Sequence, residues 1–156
     1  MGILADFLKR FRPLEVADEF FGRLTYMKMP KGRVSYWEAT RTFAPSGREI
    51  ELFVDAPGPE LLPNESQRQF FLTVEGHYSG IVASVEAVLR PQFEAWCRAP
   101  LALPFEREFT LTSFSIPNMA LADAQWEMSF DSHTDQNHLF SVSLVGERAT
   151  GVTIDG

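Results

Sequence analysis

The sequence predicts an α+β fold. A mostly antiparallel sheet of about seven strands carries one long central helix on one face, with a short amphipathic helix at the amino terminus. Three observations carry that expectation. Large apolar side chains at Phe71, Val74, Tyr78, Ile81, Val82, Val85 and Leu89 recur every three or four residues, the spacing that stacks them on one face of an α-helix. Short runs on both sides of that stretch alternate apolar and polar residues, most cleanly Trp126, Met128 and Phe130 against Gln125, Glu127, Ser129 and Asp131. Glycine and proline clusters separate the runs, as turns require. At 156 residues the chain fits a single domain, with 1–13 as the N-terminal helix and 14–156 as the α+β body.

Taken in order, Ile3, Leu4, Phe7, Leu8 and Phe11 share one side of a helix whose other side carries Asp6, Lys9 and Arg10. Such a segment suits a lid docked on its own domain better than a membrane-surface anchor. Strands are expected over 20–28, 33–43 and 49–54, with turns at Pro30-Lys31-Gly32 and Pro45-Ser46-Gly47. Ile50, Leu52 and Val54 point one way and Glu51 and Phe53 the other. Residues 56–63, with three prolines and a glycine, carry the chain from sheet to helix.

Asn64 and Gln67 are spaced to form a capping box, so the helix starts there and extends to Arg98. Pro91 divides it, leaving 92–98 as a second helix with Phe93, Trp96 and Cys97 on its buried side. Gly76, Gly80, Ala83 and Ala87 form a small-residue stripe, which is either an exposed face that happens to be small or, since glycines cost a helix stability, a face against which another segment packs closely. Four strands follow, over 108–116, 125–131, 138–145 and 150–155. The sheet thereby gains one apolar and one polar face.

The formal net charge of −7 argues against sequence-independent nucleic-acid binding, which requires cations to replace counterions along phosphates. The charge is uneven. Nine basic and five acidic residues up to Arg48 give +4, and the rest of the chain carries −11. A single cysteine beside Trp96 reads as packing, and the start of the chain lacks a secretory pattern, so a cytoplasmic setting is expected. No stretch is long and apolar enough to span a bilayer.

The one clustering of metal-capable side chains is Asp131-Ser132-His133-Thr134-Asp135-Gln136-Asn137-His138. Zinc requires three or four convergent ligands, and His133, Asp135 and His138 are the candidates, centring an alternative reading as a metal-dependent hydrolase. The residue types suit a solvated turn better, since Asp, Asn, Ser and Thr are what turns are made of. Glu49 with Glu51, and Glu106 with Glu108, each place two carboxylates on one strand face, and His77 flanks the small stripe. No phosphate loop, dinucleotide fingerprint, nucleophile elbow or zinc-protease motif occurs, and no cofactor is implied. Lys28, Lys31 and Arg33 crowd the first turn, where they could hold an anion, and with Glu127 and Asp131 they are the candidate binding-surface residues.

Asp18, Phe21, Gly22, Leu24 and Tyr26 within Asp-Glu-Phe-Phe-Gly-Arg-Leu-Thr-Tyr, and the closing Gly-Val-Thr-Ile-Asp-Gly, resemble the opening and end of small bacterial domains of unknown function. Some of those are similar to immunity proteins that neutralise toxins by binding them. The resemblance implies no established activity, with protein binding as the role some members suggest. The acidic balance after Arg48 points the same way, to another protein engaged through an acidic face of the C-terminal sheet.

Overall fold

A computed structural model of the chain describes residues 12–119 and 123–156. The expected N-terminal helix lies outside the described residues. Among the described residues eight strands form one sheet: β1 (Glu15–Asp18), β2 (Gly22–Met27), β3 (Tyr36–Phe43), β4 (Arg48–Asp55), β5 (Phe109–Ile116), β6 (Gln125–Ser132), β7 (Leu139–Val145) and β8 (Arg148–Asp155). Their spatial order is their chain order. All neighbours are antiparallel except β4 and β5, which run parallel. A parallel pair needs a crossover, and the crossover here holds the helices: α1 (Glu65–Gly76), α2 (Tyr78–Cys97) and a short α3 (Phe105–Glu108).

The strand absent from the sequence reading is β1. Four residues offer one large apolar side chain, Val16, too little for a period of two to register. Its start is set from outside the strand, by Tyr26 N donating to the Leu14 carbonyl at 2.9 Å. At the far side of the sheet, Gly146 and Glu147 alone join β7 to β8. Gly146 has φ +58°, a conformation a two-residue hairpin demands and a side chain resists.

The capping box closes as expected: the Asn64 side chain accepts from Gln67 N at 3.0 Å, and the Gln67 side chain accepts from Asn64 N at 3.1 Å. Gln67 is buried, and its Nε2 donates to the Asp55 carbonyl at 3.0 Å, tying the helix start to the end of β4. The helix does not break at Pro91. It breaks at His77, φ −106° and ψ 12°, and then runs through the proline to Cys97. The residue before the break is Gly76, the poorest helix former after proline, whereas Pro91 lies between Leu89 and Phe93, both buried in the core. Packing on both sides of the proline outweighs the single hydrogen bond it removes.

Phe71, Val74, Ile81, Val85 and Leu89 are all buried, with Tyr78 and Val82 partly so. They meet Phe43, Ile50, Leu52, Val54, Phe114, Trp126, Met128, Phe130, Phe140, Val142 and Leu144 of the sheet in one core. Phe71 stacks on Phe114 at 5.8 Å, Phe70 meets Trp126 edge-on at 5.0 Å, and Phe93 meets Phe140 at 5.3 Å. At the β8 edge, Ala149 N donates to Ser84 Oγ at 2.9 Å. The helices thus cover one face of the sheet. The stripe of Gly76, Gly80, Ala83 and Ala87 is exposed, and among the described residues a Cβ added at Gly76 or Gly80 would meet nothing within 4 Å. Trp96, expected on the buried side, is 48% exposed.

Candidate binding surface

The residues that alternate with the core set form the other sheet face, which no described element covers. Register carries Thr40 to Glu51, Glu51 to Ser113, Ser113 to Ser129, Ser129 to Ser141 and Ser141 to Thr153, one row across six strands. Ser113, Ser129 and Ser141 are buried in this row, although no described element lies over them. Ser129 and Ser141 share a hydrogen bond of 3.0 Å. Around this hydroxyl floor stand Glu49, Glu51, Glu127, Asp131 and Asp155, all exposed. None of the five has a cation within 4 Å among the described residues. Burial and the neighbouring Asp155 push the Glu127 carboxyl up, against a hydrogen bond from Ser141, as expected where like charges face each other without a counterion.

Glu127 and Asp131 therefore belong to one surface. Lys28, Lys31 and Arg33 do not join them: they are exposed on the connection from β2 to β3, several strands away. Glu49 and Glu51 share the open face of β4, as alternation requires. Glu106 and Glu108 do not share a strand face. Both fall in α3, where Glu106 is exposed and Glu108 is 1% exposed.

Glu108 holds the histidine turn in shape. Its carboxylate accepts from Ser132 Oγ at 2.6 Å, Thr134 N at 2.9 Å and Thr134 Oγ1 at 2.8 Å, and its carbonyl accepts from His133 N at 2.8 Å. Burial raises its carboxyl, but these hydrogen bonds and His133 outweigh that, and the net shift is downward. Asp135 and His138 are brought together, with His138 Nδ1 2.8 Å from the Asp135 carboxylate. Asp135 also accepts from Trp96 Nε1 at 2.9 Å, and the Trp96 and His138 rings meet edge-on at 4.9 Å. Hydrogen bonds to His138 and Trp96 hold the Asp135 carboxyl below its usual range, against some burial. His133 is exposed and does not complete a ligand set, and among the described residues no three His, Cys, Asp or Glu side chains form a group that could hold a metal ion. The turn's polar residues serve a structural network that local spacing could not reveal, since Glu108 and Trp96 come from elsewhere in the chain.

His77 lies exposed beside Glu147, Nδ1 to Oε1 2.7 Å. Cys97 is half-buried, and burial, then Asp135 and Glu108, raises its thiol, which disfavours the nucleophilic form. No helix among the described residues is long and apolar enough to cross a membrane. Fold and surface together define an α+β domain with one helix-covered face and one acidic, hydroxyl-floored face that no described element covers. Compared with known proteins, the chain matches no family model, no curated protein and no solved structure.

Proposed function

We propose that the protein is a non-enzymatic binding module that engages a basic protein partner through the open face of its C-terminal strands, as an immunity or accessory factor of the kind its opening and closing stretches resemble. The observation that carries this reading is the set of Glu49, Glu51, Glu127, Asp131 and Asp155 on an uncovered sheet face without a cation among the described residues. Unmatched like charges on a rigid scaffold repel one another in the free protein. A partner carrying lysine or arginine relieves that repulsion, speeds encounter and suppresses wrong partners. The metal-hydrolase reading has no comparable support, since Asp135 is already engaged by His138 and Trp96.

Affinity capture from the source cell tests the proposal, using wild-type bait beside a Glu51→Lys, Glu127→Lys, Asp131→Lys bait. A partner retained by wild type at low salt, released at high salt and absent from the reversed bait is expected. Recovery of no macromolecule on wild-type bait, or equal recovery on both baits, would overturn it.

A further inference from the structure

The strands β4 and β5 are partners over only part of their length. The parallel ladder joins residues 51–54 to 113–116, and residues 48–50 and 109–112 lie outside it. β5 also shifts register against β6 between Leu111 and Ser113, the kind of irregularity that bends a strand away from its course. The sheet therefore parts at this end. On the open face the gap holds a cavity of about 490 Å³ that includes Glu49, Glu51, Thr112 and Asp131 in its walls. On the helix side lies a second cavity of about 300 Å³, walled by Tyr78, Val82, Phe105, Phe109 and Phe130 among others. Arg48, Thr110 and Leu111 border both.

The two halves differ in chemistry. The inner one is aromatic: the Phe105 and Phe109 rings lie 4.8 Å apart and Phe109 and Phe130 6.4 Å. Burial pushes the Tyr78 phenol up to about 12, so its hydroxyl stays protonated, and no hydrogen-bond partner engages it among the described residues. The outer half is acidic. Among the described residues Arg48 is the one cation lining either cavity, against Glu49, Glu51, Glu106 and Asp131. Between the halves, the facing sides of residues 48–50 and 110–112 have no ladder partner across the gap. An unpaired strand side is a template for another extended chain, whose backbone supplies affinity while alternate side chains enter pockets.

The geometry points to an extended peptide segment as the occupant of this cleft: one large apolar side chain enters the aromatic cavity, the backbone meets the parted strands, and flanking lysine or arginine lies over Glu49, Glu51 and Asp131. This rests on the protein-binding reading and names the element by which the partner is held. A folded basic surface without such a segment would use the open face but leave the inner cavity empty.

Panning a displayed library of random linear peptides on the intact protein tests it. Enriched sequences are expected to share one large apolar residue with lysine or arginine within two positions. A synthetic peptide of that consensus should bind wild type, and its affinity should fall at least tenfold on Val82→Trp, which fills the inner cavity, and on Glu51→Lys. No enrichment, enrichment of sequences without that pattern, or undiminished binding to both variants would overturn the inference. Should Val82→Trp fail to fold, amide shift mapping of the peptide on wild type decides: shifts centred on Leu111 and Phe130 support the cleft, and shifts elsewhere refute it. A captured protein that binds Val82→Trp as well as wild type would remove the cleft while leaving the binding-module reading intact.

Discussion

Replacing Asp55 by asparagine isolates the cost of ionising a half-buried carboxylate at the end of β4. Burial pushes this carboxyl from 3.8 to about 6, even though the Asn118 backbone N–H donates to it and lowers it in part. A rise of about two units corresponds to roughly 3 kcal/mol between protonation states, and the group's partial exposure reduces the effective figure to about 1–2 kcal/mol. The folded value lies above the unfolded one. The stability linked to Asp55 is therefore fully present below about pH 4 and is lost as pH rises through about 6, because the unfolded chain releases the proton first. Asparagine stays neutral throughout and can still accept from Asn118. Asp55→Asn should thus be about 1–2 kcal/mol more stable than wild type at pH 8 and nearly equal to it at pH 3.5. Urea titrations at both pH values measure this, with midpoints compared at an unchanged denaturant slope. A stability difference independent of pH, or a variant less stable at pH 8, would refute the reasoning.

Glu108→Ala should cost about 3–4 kcal/mol at pH 7, since Ser132 Oγ, Thr134 N and Thr134 Oγ1 lose a charged acceptor and buried donors are expensive to leave unpaired. Its pH dependence runs opposite to that of Asp55. With the folded value lowered, the contribution of Glu108 is present above the unfolded carboxyl value and lost as pH falls through the folded one, so the deficit of the variant should shrink in acid melts. Gly80→Ala should stabilise the protein by about 0.5–1 kcal/mol in chemical denaturation, because the site is open among the described residues and alanine is the better helix former; a destabilised variant would show that another segment packs there. Asp135→Ala removes the acceptor of the Trp96 indole, and hydrogen exchange at Trp96 Nε1 should quicken measurably in NMR spectra.

Much of the sheet was legible because its strands alternate strictly. Trp126, Met128 and Phe130 on β6 and Ile50, Leu52 and Val54 on β4 declare a buried side whatever their neighbours are. The same alternation put Glu49 with Glu51 on one side of β4 and Glu127 with Asp131 on one side of β6, but that the four share one surface depends on the register of β4, β5 and β6. The helix break was not legible, since Pro91 is the stronger local signal and only the burial of Leu89 and Phe93 on either side shows why it is overruled. The role of Glu108 and the cleft were not legible either. The first depends on a turn some two dozen residues away, and the second on where pairing between β4 and β5 stops, which no local period encodes.

Because strand order equals chain order, every ladder but one can zip from a neighbouring turn. The exception joins Glu51 to Ser113, roughly sixty residues apart in the chain, with the helices between them. Closing a loop of that length costs more chain entropy than closing any of the hairpins, and the cost falls due before any contact rewards it. Two four-strand meanders can therefore form early and wait on a single seam. Truncating Val142 in the β6 to β8 meander should therefore slow folding itself, whereas truncating Leu52 or Phe114 at the late-closing seam should mainly hasten unfolding. The seam also adjoins the parted end of the sheet, so the last region to close in folding and the first to fray in the native state are expected to be the same one.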